Sequence, residues 1–288
     1  LYKIFFSISL STMPYFENIT QSPTVKVFGW LTLLLSIIFM IIQCLNNYAL
    51  CKNMKLLTQN RIYLFMMILG FIYFFEQLFH FFSGIFCVTK WKPSFKVEII
   101  IGGLLNYLYN LSGVTTMALS INRLMIFFPF NKSKTILIYI FSTILIGAIV
   151  LVDTIFLFLC IFYNMYIFYN IEFGTWDYSF HENSPFKTID NKVLIFVNIS
   201  SFILFLMVIV KIYLNQSNVT SNRRKNKSIE IYLFIQVCIN GVFFLIDEIL
   251  WEYGTYIWPD SNILYTIVNF VWSITPGKDG IMNIIFLK

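Results

Sequence analysis

Seven stretches of mostly apolar residues, each about as long as a bilayer is thick, recur along this chain. A helix needs roughly 20 such residues to cross about 30 Å of hydrocarbon. The stretches run about Val25 to Tyr48, Ile62 to Cys87, Val97 to Phe128, Thr135 to Tyr163, Val193 to Leu214, Ile229 to Trp251 and Ile263 to Leu287. They are continuous rather than alternating, which excludes an outer-membrane barrel and leaves helices that satisfy their own backbone in lipid. The expected fold is all-α, a seven-transmembrane helix bundle occupying residues 1–288 as a single domain. Composition closes the soluble alternatives: 58% of the 288 residues are hydrophobic and only 12% charged, with 33 Phe and 17 Tyr. Polar tracts, glycine periodicity and dense cysteine are absent, so disordered, collagen-like and disulfide-scaffold classes fail as well.

The third and fourth stretches are parted by a polar break at Pro129, Asn131, Lys132, Ser133 and Lys134. The fourth and fifth are parted by the longest polar stretch, Asn164 to Lys192. Orientation follows the Lys and Arg of the short loops. One set holds Lys52, Lys55, Arg61, Arg123, Lys132, Lys134, Lys211, Arg223, Arg224, Lys225 and Lys227, and the other Lys90, Lys92, Lys96, Lys187 and Lys192, eleven against five. The first set is assigned to the cytoplasm, with the N-terminus outside and the C-terminus inside. A glycosylation sequon at Asn18 falls in the external tail, in agreement. The chain starts at Leu1 without Met and stops at the inner end of the last stretch, as a fragment would, and its first residues lack a clear signal peptide.

Charged and polar residues inside the spans are expensive, so each is a functional candidate. Glu76 and His80, four apart in the second helix, share a face and are either a structural pair or part of a site for a cationic or polar ligand. Asn106 and Asn110 share a face of the third helix, as helix glue or as pocket lining. In the sixth helix Gln236, Asn240 and Asp247 form one polar stripe. Asn269 of the seventh lies at similar depth, and Asp153 of the fourth somewhat deeper. Glu76, His80, Asn106, Asn110, Asp247 and Asn269 thus outline a polar cavity open to the outside. Cys87 and Cys160, near the outer ends of their helices, either pair as a disulfide or remain buried thiols. Two histidines are too few for a metal centre, and nothing implies a cofactor or a nucleic-acid partner.

At the inner end of the third helix stands Met117-Ala118-Leu119-Ser120-Ile121-Asn122-Arg123, followed by Phe127-Phe128-Pro129. By spacing alone Arg123 is either a charge that holds the inactive bundle closed or one cytoplasmic anchor among eleven. This string resembles the nematode serpentine chemoreceptors, rhodopsin-like G-protein-coupled receptors, and most of all their class gamma superfamily, which includes class V and class X. Asn122-Arg123 stands where the wider family has Asp/Glu-Arg-Tyr. The resemblance implies a small external chemical ligand, coupling to a heterotrimeric G protein at the cytoplasmic loops, and a plasma-membrane location such as a sensory cilium. Departures are visible. Thr275-Pro276-Gly277-Lys278-Asp279 replaces the family's Asn-Pro-x-x-Tyr, so the switch falls to Pro276 and Asp279. The long outer loop has no cysteine and cannot form the usual disulfide tether to the third helix. Lys278 reads as lying near the cytoplasmic end, too deep for an opsin-like site, and as snorkelling or meeting a cytoplasmic partner.

The basic loop Asn215 to Ser228 suits a G protein or anionic membrane lipid. A seven-helix chemosensory ion channel is the alternative from another class, and it would be expected to carry its N-terminus inside. A transporter lacks its internal repeat here, and an intramembrane hydrolase lacks clustered His and carboxylates. Expressed in a glycosylating host, the full chain is expected to carry a glycosidase-sensitive glycan that Asn18→Gln removes. An unglycosylated wild-type tail would reverse the orientation.

Overall fold

The computed structural model describes residues 15–16, 21–53, 61–128, 131–163, 167–178, 185–214, most positions from 238 to 254, 258, and 262–286. Six long helices are bounded within these: α1 Pro23–Lys52, α2 Arg61–Thr89, α3 Phe95–Phe127, α4 Lys132–Tyr163, α5 Pro185–Leu214 and, after the next one, α7 Asn262–Phe286. The described positions of 238–254 are mostly helical too and form α6 between α5 and α7. Two small antiparallel pairs cap one end. Strand β1 (Tyr15–Phe16) pairs with β2 (Trp91–Lys92), and β3 (Ile167–Asn170) with β4 (Thr175–Tyr178) in a hairpin.

Local chemistry sets the helix ends. The Ser22 hydroxyl accepts from the Val25 N–H at 3.3 Å, and Pro23 follows in the first turn, where a missing donor costs nothing. Ser94 precedes α3, with Glu98 in its first turn beside the positive end of the helix dipole. Among the described residues, five helices, α1 to α5, are long and apolar enough to cross a membrane. α7 is more polar, but its Asn269, Ser273, Thr275, Lys278, Asp279 and Asn283 are all buried in the bundle. The polar face therefore points at protein and leaves Ile263, Ile267, Ile281 and Ile284 on the outside.

Burial identifies the centre. In α3, 61% of the apolar stretch is buried, against 22% in α4. α3 packs on α2, α4, α5 and β3, while α1 packs on α2 and α7. Leu34, Ile41 and Leu45 of α1, Leu137, Phe141 and Ile144 of α4, and Phe196, Ile203 and Val210 of α5 are exposed. A soluble protein would hide these side chains, whereas lipid solvates them. The largest apolar cluster gathers Phe86, Leu105, Tyr109, Trp176, Leu194 and Trp272 under the hairpin.

The limits of α1 to α4 and α7 fall within a few residues of the expected ones and those of α6 lie outside the described residues, whereas α5 starts at Pro185 rather than Val193. Its first two turns carry Asp190, Asn191 and Lys192, and apolar continuity could not register them. Asp190 and Asn191 turn inward and Lys192 outward. Gln236, Asn240, Glu248, the sequon at Asn18 and the basic loop after Leu214 lie outside the described residues.

Pro276 interrupts α7, and side chains of neighbouring helices bond the carbonyls around it. Gln43 Nε2 donates to the Pro276 carbonyl at 3.1 Å, Asn46 Nδ2 to that of Gly280 at 2.9 Å, and Gln77 Nε2 to that of Ser273 at 2.7 Å. Such pairing is what a proline-interrupted helix requires in lipid. Gly277 lets α1 approach closely, because a Cβ there would run into the Phe39 ring. Gly277→Ala is therefore expected to lower stability by about 1–3 kcal/mol in thermal unfolding of the purified protein, with partial recovery in the Gly277→Ala, Phe39→Ala double variant.

Candidate functional site

A cavity with about 480 Å³ of free space, part of it open solvent, lies between α3, α5, α6, α7 and the hairpin. Its polar lining includes Asn106, Asp177, Asp190, Asn191 and Asp247, and its aromatic lining is Tyr109, Trp176, Tyr178, Trp251 and Trp272.

The hairpin forms the lid. Asn170 Oδ1 accepts from the N–H groups of Glu172 and Phe173 at 3.0 and 3.3 Å, an Asx turn, and Gly174 supplies the left-handed step at φ +60°. Hydrogen bonds from five parts of the molecule then hold it. Glu98 Oε1 of α3 accepts from Tyr169 N–H at 2.8 Å, and Ser83 Oγ of α2 accepts from Trp176 Nε1 at 2.8 Å. From α7, Thr266 Oγ1 donates to the Phe173 carbonyl at 2.7 Å and Asn269 Nδ2 to that of Gly174 at 2.9 Å. Gln21 Nε2 donates to the Ile171 carbonyl at 3.1 Å, and the Tyr178 hydroxyl donates to Asp190 Oδ2 of α5 at 2.8 Å. Gly102 of α3 permits the contact, since a Cβ there would stand 2.6 Å from the Ile167 carbonyl oxygen. The missing disulfide tether is thus replaced by the Glu98 carboxylate, anchored on the same helix.

Asp190, 8% exposed, is the polar hub. Its Oδ2 accepts from Asn106 Nδ2 at 3.0 Å as well as from Tyr178, and its Oδ1 accepts from Asn110 Nδ2 at 2.8 Å. Asn110 Nδ2 also approaches Asp153 Oδ1 at 3.5 Å. Across the cavity Asp247 Oδ2 accepts from the Tyr109 hydroxyl at 3.2 Å, while its Oδ1 and the Trp272 indole N–H are buried and unpaired. Edge-to-face contacts run from Tyr178 to Trp251 (6.4 Å), Trp272 (6.2 Å) and Tyr109 (5.4 Å), one continuous aromatic wall.

The residues picked from sequence divide into three groups. Asn106 and Asp247 line the cavity, while Asn110 and Asn269 support it, by holding Asp190 and by anchoring the lid. Glu76 and His80 are fully buried off the lining and do not bond each other. The His80 ring is drawn to Trp272, edge-on at 5.3 Å, whereas Glu76 lies near Ser112 of α3 and Lys278 of α7. Lys278 corrects the snorkelling assignment. It is 7% exposed, donates to the Thr275 carbonyl at 2.9 Å, sits 5.1 Å from the Phe243 ring and faces Asp279, Asp247 and Glu76 in mid-bundle. The Cys87–Cys160 disulfide is not formed. Cys87 faces α1, with Gln21 Nε2 at 3.2 Å and the Val25 carbonyl at 3.5 Å, while Cys160 packs toward Gly103 of α3. Burial, and after it the Cys87 sulfur, push the Tyr169 phenol well above its usual range, so it stays protonated beside that thiol.

Sequence reading missed Asp190, Glu98 and the aromatic wall. Asp190 sat in a stretch counted as loop, and Glu98 at a helix end; only their depth of burial distinguishes them. At the other end Asn122 and Arg123 are both buried, Arg123 at 5% exposure, and Pro276 and Asp279 lie within the α7 core facing α1 and α2.

Glu98→Ala is expected to cost about 1–3 kcal/mol by leaving the Tyr169 N–H unsatisfied and to speed amide exchange across residues 167–178. Glu98→Gln, which keeps an acceptor oxygen, should retain most of that protection.

Comparison with known proteins agrees with this architecture. Residues 60–286 match the family described as serpentine type 7TM GPCR chemoreceptor Srx. No curated protein matches the chain. The crystal structure of squid rhodopsin is similar in fold, with a TM-score of 0.68 and 14% identity over 93% of this chain and 84% of that one. Such identity speaks for the fold alone. The family match spans most of the chain, and its class is a membrane receptor rather than an enzyme: this chain belongs to the Srx family of serpentine G-protein-coupled chemoreceptors.

Proposed function

We propose that the chain is a single receptor domain, N-terminus outside, that binds a small external chemical beneath the β3–β4 hairpin and signals to a heterotrimeric G protein at its inner end. The observation that carries this is the cavity itself. It lies at the end of the bundle capped by the hairpin, and unpaired polar atoms of Asp247 and Trp272 converge on its aromatic wall. A ligand there touches α3, α5, α6 and α7 together. Differential contact with helices that move relative to one another is the requirement for shifting a two-state bundle.

The inner end supports the second half of the reading. Arg123, buried among helices, differs from an anchor reaching for headgroups and suits a charge uncovered on opening. Pro276, with its carbonyl bonded by Gln43, and Asp279, near Tyr73 and Lys278, lie where α7 packs against α1 and α2. A plasma membrane, and within it a sensory cilium, is the location this role calls for, with membrane lipid as the surrounding partner.

The test is a G-protein reporter assay on the full chain with a panel of small volatile and water-soluble compounds. Arg123→Ala is expected to abolish the response while leaving ligand binding within about twofold. With no G protein present, loss of an inner docking charge is not felt at the outer site, because coupling between two sites shows only when both are occupied. Equal responses from wild type and Arg123→Ala would remove the assigned role.

A further inference from the structure

We infer that the occupant of this cavity is a small organic cation, an ammonium group carried on an apolar or aromatic body. The inference rests on reading the cavity as the ligand site and deepens it to a chemical class.

Charge comes first. Asp190 and Asp247 stand on the cavity wall, and none of its described lining residues is Lys, Arg or His. Every group that bonds Asp190 is neutral: two asparagine amides and a phenol. These donors orient the carboxylate without cancelling its charge. Behind it, across Asn110, stands a second carboxyl group, Asp153. Lys278 is the buried ammonium in reach of Asp247, and it is shared with Asp279 and Glu76. Among the described residues of the outer and middle bundle, six buried carboxyl groups, Glu76, Glu98, Asp153, Asp190, Asp247 and Asp279, stand with the Lys278 ammonium. Uncompensated charge away from water is expensive, and a cation that enters supplies the missing partner.

The wall supplies the second half of the recognition. Tyr109, Tyr178, Trp251 and Trp272 form a connected aromatic surface around the acids. Aromatic faces carry negative quadrupoles that attract alkylammonium groups, and the same faces accept an apolar body. A bare metal ion would leave that surface unused, and an anion would meet the carboxylates. Asp247 Oδ1, buried and unpaired on the cavity wall, is the acceptor left open for an ammonium N–H or N-methyl group.

The probes are benzyltrimethylammonium and phenethylammonium, set against neopentylbenzene, the uncharged carbon isostere of the first, and phenylacetate, an anion of similar size. The full chain, purified in lipid nanodiscs, is titrated with each while the fluorescence of its tryptophans is followed. At least one cation is expected to bind at least about tenfold more tightly than the isostere and the anion. Asp247→Asn and Asp190→Asn are each expected to erase that preference, with thermal unfolding of the unliganded variants reporting whether they fold. Asp247→Asn carries the decision should Asp190→Asn fail to fold, because Asp190 also holds the lid. The inference is overturned if neither cation binds, if the isostere or the anion binds as tightly, or if the preference survives in Asp247→Asn. Reporter-cell signalling separates this from the receptor reading. Neutral or anionic agonists whose response is lost in Trp272→Ala would keep the receptor and sink the cation. Carboxylate-dependent cation binding without any G-protein response would do the reverse.

Discussion

The Asp190 carboxylate joins three pieces of the molecule at one point. Its oxygens accept from Asn106 and Asn110 of α3 and from Tyr178 of the hairpin, while its backbone belongs to α5. A buried charge with three donors is stable only if all three arrive together, so the register of α3 against α5 and the seating of the lid are mutually dependent. This knot fixes one side of the cavity, and the hydrogen bond from Tyr109 to Asp247 fixes another.

The same economy governs the rest of the bundle. Polar side chains in lipid have to face protein, and here they do so in layers. The outer layer secures the hairpin through Glu98, Ser83, Thr266 and Asn269. The middle layer collects Glu76, Lys278, Asp279 and Tyr73. Interleaved with it, amides of α1 and α2 bond the α7 carbonyls of Ser273, Pro276 and Gly280. Each layer ties neighbouring helices to one another, which makes these polar contacts restraints on any movement of one helix against the next. The hairpin lid shows how one restraint substitutes for another: a carboxylate on α3 does by hydrogen bonding what a disulfide to that helix would do covalently.

Most of the helices were legible from apolar length alone, because a span in lipid is constrained by the thickness it crosses. The start of α5 was not, since Pro185 to Lys192 reads as polar loop until one sees that Asp190 and Asn191 are covered by α3 and the hairpin. The cavity was half legible. Asn106, Asn110 and Asp247 stood out as polar residues where lipid forbids them, and they do gather round the space. Glu76 and His80 stood out for the same reason yet lie off it, drawn to Lys278 and Trp272. Their four-residue spacing shows a shared face but cannot say what that face meets.

Hydrophobic length and the sparse placement of charge were enough to establish a membrane bundle of seven helices and, with the string ending in Asn122-Arg123, its family resemblance. Those are one-dimensional properties, since each helix answers separately to the lipid. Which aromatics form a wall, which of six intramembrane polar candidates reach the cavity, whether Cys87 meets Cys160, and where Lys278 points were decided only by packing. Each depends on the rotation of one helix against another, a relation between residues far apart in the chain that no single segment encodes.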